Sequence, residues 1–138
     1  MKNKVNLEDV LNQLGSDEAR SQAISQLVGK VELSTPQIKR AVEVYEKAGR
    51  FRDAANVALK AGMTERANNL YVKAVEDYEK AGRFGDAANV ALKAGMTERA
   101  VEDYEKAGWF GDAANVALKA GMTERAEGLK TLVDLINS

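Results

Sequence analysis

The stretch AVEDYEKAGRFGDAANVALKAGMTERA, residues 74–100, decides the fold, because the chain carries it three times. Residues 100–126 repeat it with one change, Trp109 in place of Arg83. Residues 41–67 repeat it with two, Val44 for Asp77 and Arg52 for Gly85. Self-similarity at a spacing of a few tens of residues marks a stacked-repeat architecture. Each copy holds two helical units, one opening on Gly-x-Phe and one on Gly-Met-Thr.

The spacing is uneven. Gly49 to Gly82 and Gly62 to Gly95 are 33 residues, whereas Gly82 to Gly108 and Gly95 to Gly121 are 26. The difference is the seven-residue stretch Asn68-Asn69-Leu70-Tyr71-Val72-Lys73-Ala74. Seven residues are almost two helical turns, so the insertion keeps the apolar face aligned and adds about 10 Å of helix.

Boundaries follow from capping chemistry. Gly62 suits the left-handed residue that closes a helix, with Lys60 near the negative end. Thr64 then serves as the next cap, with Glu65 in the first turn. The same grammar recurs at Gly95-Met96-Thr97-Glu98 and Gly121-Met122-Thr123-Glu124. Ser34-Thr35-Pro36 reads as a cap followed by proline at the first helical position. Asn6 and Ser16 read as caps of two leading helices that end at Gly15 and Gly29. With 22 alanines, one proline and no alternating strand pattern, the chain is expected to be all-α. Nine helices are predicted, at 6–14, 16–28, 35–48, 51–61, 64–81, 84–94, 97–107, 110–120 and 123–137.

The apolar stripes name the buried faces. Ala67, Leu70, Tyr71, Ala74, Tyr78 and Ala81 recur at steps of three and four on the long helix. Phe84, Ala87, Ala88, Ala91 and Leu92 do so on a Phe helix; small alanines permit close approach there. Glu76 and Lys80, and Glu102 and Lys106, form i, i+4 pairs on the opposite face. Leu7, Val10, Leu11 and Leu14 look like one capping helix, and Leu129, Leu132, Val133 and Ile136 like the other. Leu135 falls off that last stripe, so the final helix is expected to bury a second face.

Gly95-Met96-Thr97-Glu98-Arg99-Ala100-Val101-Glu102-Asp103-Tyr104-Glu105-Lys106-Ala107 resembles the second-helix signature of tetratricopeptide repeats. The shared features are a glycine turn, an alanine five residues on, an aromatic four later, then Lys-Ala. The likeness covers about residues 35–130. The chain departs from the family in its period, in lacking the first-helix Trp-Leu-Gly pattern, and in lacking a proline at each repeat end. The resemblance implies an α-solenoid of stacked antiparallel helical hairpins that serves as a protein-binding scaffold. The expected organisation is an N-terminal helical cap at 1–33, repeats at 34–126, and a C-terminal capping part at 127–138.

Composition narrows the chemistry. The chain has 138 residues, no cysteine and no histidine, with 20 basic against 21 acidic side chains. Thiolate catalysis, zinc-thiolate sites and the usual neutral-pH general base are absent. A net charge of −1 offers no basic face for nucleic acid. Gly82-Arg83-Phe84-Gly85 and Gly108-Trp109-Phe110-Gly111 match an RNA-clamping loop, but the helical context and charge are wrong for it. Glu76-Asp77 and Glu102-Asp103 are adjacent carboxylates that point about 100° apart on a helix, so a solvated face is expected. Met1–Glu8 holds no secretory-type apolar stretch, and no run is long enough to span a membrane, so a cytoplasmic protein is expected.

Four residues stand out as interface candidates. Trp109 is the single tryptophan and sits where Arg50 and Arg83 stand in the other copies, which predicts exposure and a partner hot spot. Leu70 and Tyr71 lie on the inserted turns, where shorter neighbours are expected to leave them uncovered. Leu135 lies off the last stripe. The expected function is non-catalytic: protein–protein interaction or self-assembly, as a homo-oligomer, most simply a dimer. No catalytic, cofactor or metal residue is expected, and no cofactor, nucleic acid or membrane. The alternative is a recently copied or engineered array without a specific ligand; a small enzyme using carboxylate, lysine or tyrosine chemistry ranks below both.

Overall fold

Seven glycines, Gly29, Gly49, Gly62, Gly82, Gly95, Gly108 and Gly121, hold φ between +73° and +86°, which a side chain tolerates poorly. They stop the helices where the repeat places them. A computed structural model describes residues 6–138. Among these, nine helices follow one another: α1 (Leu7–Asn12), α2 (Asp17–Leu27), α3 (Thr35–Lys47), α4 (Phe51–Lys60), α5 (Thr64–Lys80), α6 (Phe84–Lys93), α7 (Thr97–Lys106), α8 (Phe110–Lys119) and α9 (Thr123–Asn137). No strand is present among the described residues; one isolated bridge joins Val28 and Val31. The all-α expectation holds.

The joints between helices are Schellman motifs. At six of the seven, all but Gly29, the amide following the glycine reaches back five residues: Arg50 to Tyr45 (2.9 Å), Met63 to Ala58 (2.9 Å), Arg83 to Tyr78 (2.8 Å), Met96 to Ala91 (2.9 Å), Trp109 to Tyr104 (2.8 Å) and Met122 to Ala117 (2.9 Å). This closure corrects one expectation. Thr97 and Thr123 are the first helical residues of α7 and α9 and are not their caps; Met96 and Met122 hold the cap position, with no side-chain bond. The residue that closes one helix also opens the next, since the Met96 carbonyl already accepts from Ala100. The threonine is therefore one residue too late to cap.

Elsewhere the caps are as read. The Asn6 side chain accepts from the Asp9 amide, and Ser16 from the Ala19 amide. Ser34 and Gln37 form a reciprocal capping box, with Pro36 in the first turn. The first helix is shorter than expected, ending at Asn12 instead of near Gly15. Arg20 closes this end: its guanidinium donates to the carbonyls of Leu11 (3.2 Å) and Leu14 (3.0 Å), satisfying acceptors left open past the helix terminus.

The chain divides into two compact units, Met1–Leu70 and Tyr71–Ser138. In the first, α2 packs on α3 and α3 on α4; in the second, α6 packs on α7, α7 on α8 and α8 on α9. Each unit is thus a stack of helical hairpins. Alanines supply the close contacts: Ala54, Ala55 and Ala58 on α4, Ala87, Ala88 and Ala91 on α6, Ala113 and Ala117 on α8 are all buried. Leu92, placed on the same stripe by its spacing, is instead 37% exposed.

A ladder of ion pairs sets the register between like helices. Arg66 on α5 meets Glu46 on α3 at 2.6 Å, Arg99 on α7 bonds Glu79 on α5, and Arg125 on α9 meets Glu105 on α7 at 2.7 Å. Each pair is 20 residues apart. Partly exposed pairs of this kind are worth about 0–1 kcal/mol each, so the ladder directs alignment more than it adds stability.

Candidate interaction surface

The ladder explains where Leu70 goes. One turn beyond each arginine, at the fourth residue on, stand Leu70, Asp103 and Leu129, exposed by 2%, 1% and 9%. Leu70 therefore occupies a buried slot of the repeat. Tyr71 is equally buried, at 1%. The expectation that both form an uncovered patch is overturned. The physical reason is that α5 works twice: Arg66 in its first turn pairs with Glu46 inside the first unit, and Glu79 near its end pairs with Arg99 inside the second. The seven extra residues accommodate both uses and leave no apolar turn bare.

Asp103 is the second correction. Glu102 is exposed as expected, but Asp103 is buried, and neither of its carboxylate oxygens meets a donor among the described residues. Burial and the neighbouring Glu79 carboxylate push the Asp103 carboxyl up to about 7, against the opposing pull of Lys106 and Arg99. A bond between Asp103 and Glu79 needs a proton, because two carboxylates are both acceptors. Glu79 takes the opposite direction; its bond to Arg99 holds its carboxyl below the usual range. Asp77, the counterpart in the sequence repeat, is exposed. The insertion carries Asp77 two turns beyond the arginine register and puts Leu70 there instead. Counting the arginine-to-carboxylate spacing would have revealed this.

Trp109 is accessible, as read; Leu135, expected on a second buried face of the final helix, is instead 67% exposed. Trp109 is 45% exposed, with its other face stacked on Tyr104 at a ring distance of 5.9 Å and an interplanar angle of 24°. That stack is the side-chain contact of the Schellman joint. In the other copies an arginine takes the same seat, Arg50 over Tyr45 at 5.7 Å and Arg83 over Tyr78 at 4.9 Å. Those arginines also pair with Asp53 and Asp86, whereas Asp112 forms no ion pair among the described residues. The indole also lies over the bare backbone of Gly85, where a Cβ would stand 2.6 Å from it.

Beyond Trp109 the surface stays apolar. Gly108, Trp109, Phe110, Gly111 and Asp112 line a shallow groove whose other wall is Val133 and Ile136 of α9. Leu132, Leu135 and Ile136 are exposed by 36%, 67% and 60%. Sequence reading named Trp109 and Leu135 but placed Ile136 and Leu132 on the buried stripe. Among the described residues no cluster of three or more metal-ligating side chains occurs, and no helix is long and apolar enough to cross a membrane. Comparison of the chain with protein-family models, curated proteins and solved structures returns no match.

Proposed function

We propose that this chain is a non-catalytic interaction scaffold, in which stacked helical hairpins similar to tetratricopeptide repeats hold an apolar docking face. The observation that carries the reading is a groove lined by Trp109, Val133 and Ile136, with Leu132 and Leu135 exposed nearby on the same helix α9. Single exposed apolar residues are ordinary, but contiguous ones mark interfaces. The uncharged core of the cluster suits protein contact better than nucleic acid or metal.

A photo-reactive amino acid at Leu135 tests this. Irradiation of the chain, alone and in a cell extract, should give cross-linked protein in much higher yield than the same group placed at exposed Lys60. Equal yields from the two positions would remove the basis for a docking face.

A further inference from the structure

The repeat shows what kind of side chain the groove is built to seat. Residues 84–100 and 110–126 are identical in sequence, so α6 and α8 begin with the same backbone shelf. At Gly85 that shelf is occupied by the indole of Trp109, which arrives from the next joint 26 residues further on. At Gly111 the same shelf has nothing within 4 Å. The residue 26 beyond Trp109 is Leu135.

Leu135 does not reach Gly111 in its own chain, and the reason is local. Trp109 is delivered by the left-handed turn at Gly108; the corresponding residue before Leu135 is Asp134. Asp134 continues the helix, so α9 runs unbroken from Thr123 to Asn137 and carries Leu135 out to solvent, 67% exposed. The α8–α9 end of the second unit thus bears both an empty seat at Gly111 and, across Ile136 and Leu132 on α9, an exposed apolar side chain that could fill it in another copy. A surface that carries both halves of a contact is self-complementary, the requirement for a closed two-fold pair.

We infer that this face binds a second copy of the chain, Leu135 and Ile136 of each copy seating in the groove at Trp109 and Gly111 of the other. The inference rests on the interaction-scaffold reading and names its partner. Charge places no obstacle there: along α9 Gly128, Thr131, Leu132 and Leu135 share an uncharged exposed stripe by helical spacing, with Glu127, Lys130 and Asp134 to one side of it. An isologous contact of this kind, each copy using the same patch, closes at two copies.

Light scattering behind size exclusion, run on the 138-residue chain over a hundredfold concentration range, reads the association directly. The expected result is a reversible monomer–dimer equilibrium that stops at the dimer, with Trp109 emission shifting to the blue as the dimer forms. Leu135→Asp should weaken association at least tenfold while leaving the helical circular dichroism and the Tm of the monomer unchanged, because Leu135 is mostly in solvent. Gly111→Trp, which fills the seat from within, should have the same effect. A monomer at every concentration, growth past the dimer, or a dimer indifferent to both variants would overturn the inference. If the chain stays monomeric but cross-links from Leu135 capture other proteins, the pairing fails and the scaffold reading stands. If Leu135 cross-links nothing beyond the Lys60 control, both fail.

Discussion

At pH 8, Asp103→Leu unfolds at a higher temperature and a higher urea concentration than the wild-type chain. The expected gain is about 1–3 kcal/mol, the cost of burying a polar group without a partner. Leucine is the appropriate replacement because Leu70 and Leu129 fill the same slot beside the other two ion pairs of the ladder. Asp103→Asn separates charge from shape: its amide donates to Glu79 at any pH, so it too should gain at pH 8.

The sign of the pH dependence follows from the direction of the shift. The Asp103 carboxyl is raised from near 4 in the unfolded chain to about 7 in the fold, so the fold binds more protons between those values. Its contribution to stability is fully present below about pH 4 and is lost as pH rises through 7. Glu79 acts oppositely, its contribution present above its unfolded value and lost as pH falls through its lowered folded one. The advantage of Asp103→Asn should therefore be large at pH 8, clearly smaller at pH 5 and nearly absent below about pH 4. A gain of the same size at both would mean that Asp103 is not buried as a shared-proton partner of Glu79.

The second large effect separates two glycines in identical local sequences. Gly85→Ala is expected to destabilise the fold by about 1–3 kcal/mol, because the new methyl collides with the indole resting on that backbone. Gly111→Ala meets nothing within 4 Å and should stabilise by roughly 0.5–1 kcal/mol, since alanine loses less backbone entropy in a helix. Urea midpoints of the two variants are the measurement, and shifts of the same sign would contradict the packing of Trp109 on Gly85. Adding Trp109→Arg to Gly85→Ala should relieve most of its cost, as arginine holds that position in the other copies.

Much of this molecule is written in local sequence. The glycines at Gly49, Gly62, Gly82, Gly95, Gly108 and Gly121 need a left-handed conformation and sit at a repeating distance, so nearly every helix end could be read directly. The exposure of Glu76, Lys80, Glu102 and Lys106 followed from helical periodicity alone. Accessibility of Trp109 was legible from the arginines that replace it, whereas Leu135, off the apolar stripe, suggested a second buried face and is exposed.

Tertiary structure decided the rest, because burial depends on which helix lies opposite and at what register. Leu70 looked uncovered while the insertion was counted as surplus length; the Arg66–Glu46 pair places it in a buried slot. Asp103 looked solvated because carboxylates are rarely buried, yet it stands one turn past Arg99 and is 1% exposed. The same local code reads as surface in one copy and core in another, since two carboxylates with the same neighbours in sequence have different neighbours in space. Local sequence determined where each helix begins and ends; the alignment of one helix on the next determined which side chains each of them hides.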